Sequence, residues 1–420
     1  MTVPTQPRAS AGSAVGTEAL RTDGVLRPDL SESGRVNAYL PAPTVQCHAA
    51  ILETLPGGDL GCVWFGGTQE GVGDISIWFS RLSPGAEAWS EPVRLSDDPD
   101  RSEQNPILFS TPQGEVWLLY TAQRAGNQDT AEVRRRISTD DGRTWGPAET
   151  LLPAGAQSGT FVRQPIVVTP SGRWLLGTFA CVREPGKKWV GDHDTSSVMI
   201  SDDEGRTWRE VAVPDSTGCV HMNIVVLADG SLFALFRSRW ADFIYASRSY
   251  DDGGSWSPPQ PTTLPNNNSS IQQVRLNDGR LGLIFNLSSR ANATQRRLSL
   301  YDEIDDEGLV EQAASPAGLP VEEGTDADDR SRRTAFWGAP RAPMTLAFSA
   351  DQGASWRIAG NLDEGDGYCL TNNSRDGLNR ELSYPAIHQT ADGVLHLAYT
   401  YWRRAIKYVR LDPVWIESRS

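Results

Sequence analysis

Proton-transfer chemistry in this chain falls to His48, Tyr384, Arg163 and His221. An imidazole titrates near neutral pH and serves as base or acid, which puts His48 first, and the Tyr384 phenol can donate or accept a proton in the same way. Around them stand groups suited to holding an anion. Arg237, Arg239, Arg403 and Arg404, together with Arg163, carry planar guanidinium forks that match a carboxylate through paired hydrogen bonds. Gln69, Glu70, Asn105, Gln164, Asn223 and Asn267 add further hydrogen-bonding groups. Each residue also has a plain structural role open to it, as a satisfied core histidine or as an arginine bridging neighbouring elements. Because the chain has a formal net charge of −14, arginines gathered in one place are a local exception to an acidic whole. Such a set suits an anionic sugar, whose carboxylate must be neutralised while a base and an acid act beside it.

Residues this far apart in sequence meet only if the architecture gathers them, and a repeat supplies that architecture. Ser138, Asp140, Gly142 and Trp145 have the spacing S-x-D-x-G-x-x-W. It returns at Ser201, Asp203, Gly205 and Trp208, at Ser249, Asp251, Gly253 and Trp256, and at Ser349, Asp351, Gly353 and Trp356. The octet encodes a hairpin turn: the Asp accepts the turn's own backbone N–H groups, the Gly takes positive φ, and the Trp returns to pack on neighbouring strands. These carboxylates are consumed by the turn, which argues against a metal-binding role. A degenerate copy running from Ser80 to Trp89 precedes the series. Three strand-like runs lie before each octet, as at 105–109, 116–120 and 133–138, and a shorter one follows. The units are therefore four-stranded antiparallel blades, and the chain is expected to be all-β, a six-bladed β-propeller, with seven blades as the alternative.

The last blade shows only three strands, at 384–388, 394–401 and 405–411, so a segment at about 25–39 is expected to supply the fourth and close the ring. Residues 1–22 read as a flexible tail and 23–420 as one propeller domain. The interval between the last two octets is about twice the one before, which places an insert at about 287–342 between the second and third strands of blade five. Insertions of this length serve as lids or flaps. Because the octets join strands three and four, the two-to-three connections and the starts of the innermost strands lie together on the opposite face. His48, Asn105, Arg163, Gln164, His221, Asn223, Asn267 and Tyr384 fall at such starts, and Gln69, Glu70, Arg237, Arg239, Arg403 and Arg404 at such connections.

Composition narrows the class. The acidic balance disfavours sequence-independent nucleic-acid binding, which needs a basic surface. No apolar run approaches the roughly 20 residues of a membrane-spanning helix, and the first 20 residues lack a secretory layout, so a cytoplasmic protein with no membrane partner is expected. Cys47, Cys62, Cys181, Cys219 and Cys369 form an odd set without a CxxC pair and read as reduced, buried thiols rather than a disulfide framework or zinc site. No cofactor and no metal are expected, and the short run Asp192, His193, Asp194 is a weak metal motif.

The octet is the Asp-box, and the chain resembles the sialidase (BNR-repeat) superfamily of β-propellers. It departs from the sialidase pattern at the first inner strand, where Gln46 stands in place of the carboxylate-binding arginine and His48 in place of a proline. The stretches around His48, Trp64-Phe-Gly-Gly-Thr-Gln-Glu70, Asn105-Pro-Ile-Leu-Phe109, Phe236-Arg-Ser-Arg239, Leu264-Pro-Asn-Asn-Asn-Ser269, Ser383-Tyr-Pro-Ala-Ile387 and Tyr401-Trp-Arg-Arg404 are similar to the predicted-neuraminidase branch, itself similar to rhamnosyl-glucuronate lyases. The resemblance implies a carbohydrate-active enzyme that takes a small anionic saccharide or glycoside. β-Elimination at a uronate is the first reading. A sialidase-type exo-glycosidase, which would need two carboxyl groups roughly 5–10 Å apart, and a propeller recruited to another small-molecule reaction are the alternatives.

Overall fold

The structure is a computed structural model that describes residues 20–301, 303–305, 308–309, 318–320 and 333–419. Six four-stranded antiparallel sheets follow one another around a central axis. Blade one is built from Gln46–Thr54, Leu60–Gly67, Ser76–Leu82 and Val93–Arg94, and blade two from Arg101–Ser110, Val116–Arg124, Asn127–Ser138 and Glu149–Leu152. Blade three has a divided first strand, Ser158–Val162 and Val167–Val168, both parts pairing with Trp174–Val182 before Thr195–Ser201 and Arg209–Ala212. Blades four and five begin at Cys219–Val226 and Gln272–Arg275.

Blade six contributes Leu382–Gln389, Leu395–Tyr401 and Ala405–Leu411, and its fourth strand comes from the other end of the chain: Arg35–Tyr39 pairs antiparallel with Ala405–Leu411, from Arg35 opposite Leu411 to Tyr39 opposite Lys407, and the two-residue strand Arg27–Pro28 adds to its outer side. Closure in this way removes a free sheet edge. The count is six blades, and the seven-bladed alternative does not hold.

The four octets lie between third and fourth strands, and their chemistry is the same each time. In blade two, Asp140 Oδ1 accepts from the backbone N–H of Thr144 at 2.8 Å and from Ser138 Oγ at 2.8 Å, while Gly142 sits at φ +74. Asp203, Asp251 and Asp351 take the equivalent bonds at the same distance from Thr207, Ser255 and Ser355. Between blades the core is aromatic and aliphatic, as where Trp174 meets Phe109 and Trp117 edge-on at ring separations of 4.9 and 5.2 Å.

The segment 287–343 leaves blade five after Leu281–Asn286 and returns at Met344–Ser349. Its described parts fold back over the axis: Leu300, Tyr301, Ile304, Ala335 and Trp337 form one buried cluster with Phe161, Phe179, Trp189 and Val220 of the propeller. The expected tail lies outside the described residues up to position 19, as do 310–317 and 321–332 of the insert. No described helix is long and apolar enough to cross a membrane.

Candidate active site

The innermost strands of five blades are interrupted, and this local feature builds the site. In blades one, two, four and six the ladder to the second strand shifts register between His48 and Ile51, Gln104 and Ile107, Val220 and Asn223, and Ser383 and Ala386. A left-handed residue sits in each gap: Ala49 (φ 63), Asn105 (φ 49), His221 (φ 56) and Tyr384 (φ 50). In blade five Asn268 (φ 56) precedes the strand, and in blade three the break holds Arg163 and Gln164. A bulge of this kind spends ladder bonds to re-aim side chains.

The bulges bring Tyr384 into the middle of a cationic and aromatic group. Arg237 Nη1 donates to Tyr384 Oη at 2.5 Å, and the guanidiniums of Arg163, Arg237 and Arg341 lie 5.4, 5.5 and 5.8 Å from the centre of its ring. The His48 ring is 4.3 Å away and the His221 ring 5.6 Å. His221 Nε2 is 3.4 Å from Arg237 Nη1, and Asn268 Oδ1 accepts from Arg237 Nε at 2.8 Å. His48 is wholly buried and Tyr384 only 6 % exposed, so these groups pack against one another as a closed polar chamber rather than around an open cleft.

A carboxylate network surrounds that group. Arg403 binds Glu381 Oε1 through Nε at 2.7 Å and Glu70 Oε2 through Nη1 at 2.5 Å, and Arg341 Nη1 binds Glu381 Oε2 at 3.0 Å. His48 Nδ1 contacts Thr400 Oγ1 at 2.8 Å and lies 3.8 Å from Glu381. Burial alone would raise Glu381, but Arg341 and Arg403 outweigh it and hold the carboxyl below its ordinary value. Burial likewise works against the charge on Arg403, and Glu381 and Glu70 more than restore it. Arg163 and Arg237 lack that compensation. Burial pulls them down to about 10 and about 9, so both are still cationic at neutral pH.

His48 departs from the expectation drawn from its type. Burial first, then Arg403, Arg341, Arg163 and Arg237, push its pKa well below 6.5, and His221 is displaced the same way. Both are neutral imidazoles around neutral pH, suited to accept a proton and unsuited to arrive carrying one. Four buried atoms here have no protein partner: His48 Nε2, His221 Nδ1, and Nε and Nη1 of Arg163, whose Nη2 alone is used, donating to the carbonyls of Ala50, Tyr384 and Pro385. Buried donors and acceptors in a polar chamber are costly unless something binds them.

The other residues singled out from sequence divide. Glu70 belongs to the chamber network, and Gln69 reaches the insert, donating to Glu303 Oε2 at 3.3 Å. Asn105 is 5 % exposed at its bulge. Arg239 is held by Asp194 at 2.7 Å and lies over Trp189 and Trp337. Asn267 ties the insert's root, donating to Ser288 Oγ and Pro340 O. Gln164 and Asn223 knit blades together: Gln164 donates to Ile271 O at 2.7 Å and accepts from Gln272, and Asn223 accepts from Gln273 N.

Arg404 stands apart. Trp402 and Arg403 both adopt φ 53, and this tight turn sends Arg403 inward and leaves Arg404 exposed on a separate cavity with Leu20, Thr22 and Arg375. Asp192, His193 and Asp194 also diverge, to Ala335 N, Glu184 and Arg239. Sequence reasoning passed over Arg341, which lies on the return of the insert into blade five. That is a two-to-three connection, so the topological rule applied to the other blades would have found it.

Taken with this geometry, the comparisons fix the class of protein as a six-bladed propeller of the sialidase fold. The chain belongs to the BNR repeat-like domain family, whose model matches residues 58–397. It superposes on the Hadza microbial sialidase Hz136 with a TM-score of 0.60 at 14 % identity, covering 88 % of this chain and 66 % of the sialidase, just under two thirds of its length. The intramolecular trans-sialidase from Ruminococcus gnavus, solved with oseltamivir carboxylate, gives 0.59 at 13 % identity over 92 % of this chain and 98 % of that one. A protein of unknown function from Dyadobacter fermentans gives 0.62 at 14 %, over 90 % and 99 %. Among curated sequences, the photosystem II assembly lipoprotein Ycf48 of Prochlorococcus marinus is 25 % identical over 158 residues, 38 % of this chain and 37 % of its own. At these identities the structural likeness is one of fold.

Proposed function

We propose that the protein is a carbohydrate-active enzyme that cleaves a glycosidic bond beside a carboxylate by β-elimination. The observation that carries this reading is the neutral, buried His48, with Nε2 unpartnered, packed against Tyr384 among Arg163, Arg237 and Arg341. Elimination from a uronate requires three things. The carboxylate must be neutralised so that charge can develop on it, a base must take the proton from the adjacent carbon, and an acid must protonate the departing oxygen. Arg163 and Arg237 supply the first, with Arg341 alongside. His48 Nε2 accepts the proton; the C–H electron pair becomes the new C=C bond as the C–O bond breaks, and the Tyr384 hydroxyl gives its proton to the leaving oxygen.

Hydrolysis by a carboxylic-acid pair finds less support. Glu381 is held ionised, and both it and Glu70 are spent on Arg403. One contact favours a second reading: with Arg237 Nη1 at 2.5 Å, Tyr384 is also placed to act as a nucleophile in a sialidase-type hydrolysis. The two reactions separate on their products. Incubation with a uronic-acid glycoside is expected to yield an unsaturated uronate with new ultraviolet absorbance. Sugar released without that absorbance would replace elimination by hydrolysis.

A further inference from the structure

We infer a second binding site on the propeller axis, at the octet face, for a small zwitterion: an ammonium and a carboxylate joined by an aliphatic body. It is independent of the proposed reaction. A cavity of about 560 Å³ lies further along the inner strands that build the chamber, where Glu53 follows His48 on Gln46–Thr54 and His388 follows Tyr384 on Leu382–Gln389. Beyond Thr54 the chain meets the octet of blade two, Gly57 N donating to Asp141 Oδ1 at 2.7 Å, which places the cavity at the end of the axis away from the chamber. At about 30 Å³ per water its volume equals roughly 18 waters, room for a molecule the size of an aliphatic amino acid.

The wall is mostly apolar. Ile166, Val167, Ile224, Val225 and Ile387 line it from blades three, four and six. Most polar groups between them are spent on the fold: Gln272 gives its amide to Gln164 and its oxygen to Ile387 N, Asn223 Oδ1 accepts from Gln273 N, and Asn277 is tied to Gln389 and Thr390. Two charge-bearing side chains of the wall are not spent in this way. Half-buried Glu53 has Ser110 beside it and no ion-pair partner among the described residues. Arg275 is exposed and likewise has no carboxylate partner among the described residues. Between the strands that carry them stands His388, which meets Thr54 Oγ1 through Nε2 at 2.7 Å and leaves Nδ1 without a protein partner.

The ligand must answer both charges. A lone carboxylate would satisfy Arg275 only, and a lone ammonium Glu53 only. An uncharged apolar molecule would cover the wall and leave the Glu53 carboxyl desolvated without a partner. A zwitterion sets its ammonium on Glu53 and its carboxylate on the Arg275 fork, and its aliphatic body displaces water from the isoleucine and valine wall. Burial pushes the Glu53 carboxyl up to about 8, with Ser110 pulling the other way. At neutral pH it is therefore largely protonated, and a bound ammonium displaces that proton.

The test is calorimetric titration of the full chain with leucine and δ-aminovalerate as zwitterions, and with isoamylamine and isocaproate as controls that carry one charge each. At least one zwitterion is expected to bind about tenfold more tightly than either control, and the preferred one reports whether the two charges are held close together or far apart. Glu53→Gln and Arg275→Gln should each weaken that zwitterion about tenfold, the usual worth of a hydrogen bond to a charged group. Titration of the unsubstituted chain at pH 7 in two buffers of different ionisation enthalpy should show about one proton released on binding, and this reading does not depend on how the variants fold. Failure of both zwitterions to bind, a control that binds as tightly, affinity indifferent to both substitutions, or binding without proton release overturns the site.

Discussion

Glu381 and Arg403 form the pivot of the buried chamber. Their 2.7 Å ion pair joins the strap before blade six to its two-to-three turn, and through its second oxygen Glu381 also holds Arg341 at 3.0 Å. A buried charge stripped of its partner costs far more than the pair contributes. Glu381→Gln should therefore destabilise the fold by roughly 3–5 kcal/mol. Glu70→Gln should cost less, because Arg403 keeps Glu381 while Glu381 is shared by two arginines. Urea denaturation of the three proteins checks the order, and equal losses would contradict the network.

His48 and Tyr384 carry the proton transfers in the proposed reaction. His48→Ala is expected to lower kcat by roughly 10²–10⁴-fold, the usual contribution of a positioned base. Tyr384→Phe should act in the same range with the fold intact. Because burial and four arginines hold His48 well below 6.5, the pH profile of kcat/KM should show no acid limb near 6.5. A limb centred there that vanishes in the His48 variant would mean that the imidazole is not desolvated as the structure has it.

Stability against pH has a calculable sign. His48 and His221 lie well below the ordinary 6.5, His388 is lowered by burial to about 4 and His396 to about 3. The unfolded chain protonates each of these below 6.5 and the native chain does not, so stability falls as pH drops from 6.5 towards 4. Burial pushes Glu103 up to about 7 and half-buried Glu53 up to about 8. There the native chain keeps protons that the unfolded chain has released above about 4.5, so stability falls as pH rises towards 7 and 8. Four imidazoles outweigh two carboxyls on the acid side. Melting temperature should peak at about pH 6.5, and His388→Asn should flatten the acid limb; a curve that rises on acidification from pH 6.5 would reverse the assignment.

The octets made most of the architecture readable, because each is a local turn whose partners lie within eight residues. Asp140 Oδ1 accepts from Thr144 N and the Trp145 indole donates to Gly142 O, so the bonds that shape the turn all lie inside it. The chamber was readable only through topology. Inner-strand starts and two-to-three turns share a face, which is why His48, Arg163, Arg237, Arg403 and Tyr384 converge. What topology cannot supply is the direction of a side chain within a turn. Arg403 and Arg404 are adjacent, and the positive φ values of Trp402 and Arg403 turn one inward and the other to solvent. Gln164 and Asn223 likewise start inner strands, but are taken up by hydrogen bonds to blade five that no local pattern announces. The insert was visible as excess length only. Its irregular backbone has no periodicity to show that Tyr301 and Trp337 pack over the axis.

Two octet glycines give a graded test of turn strain. Gly142 and Gly205 have φ of +74 and +78, where an L side chain costs roughly 1–2 kcal/mol. A Cβ at Gly142 meets nothing nearer than Arg81 Nη2 at 3.4 Å, whereas at Gly205 it collides with the Trp117 ring. Gly205→Ala should thus lose clearly more stability than Gly142→Ala in urea unfolding. Both should leave kcat unaltered, since the octets face away from the chamber. A loss of kcat in the milder Gly142 variant would show that the two faces are coupled.

Closure of the ring can be tested by opening it. Arg35–Tyr39 is the only strand covering the outer edge of Ala405–Leu411 among the described residues. Arg35 adds a 2.7 Å bond to Leu362 O of blade five, so the segment fastens two blades as well as completing one. A chain begun after residue 40 would leave the outer edge of Ala405–Leu411 unpaired, a template for pairing with another copy. It should be less stable and aggregate, most strongly at high protein concentration. A synthetic peptide of residues 23–42 should rebind that edge and restore the monomer in sedimentation experiments. A truncated chain that stays monomeric with unchanged melting temperature would mean that inter-blade packing alone holds the ring, and that the strand exchanged between the two ends of the chain is dispensable.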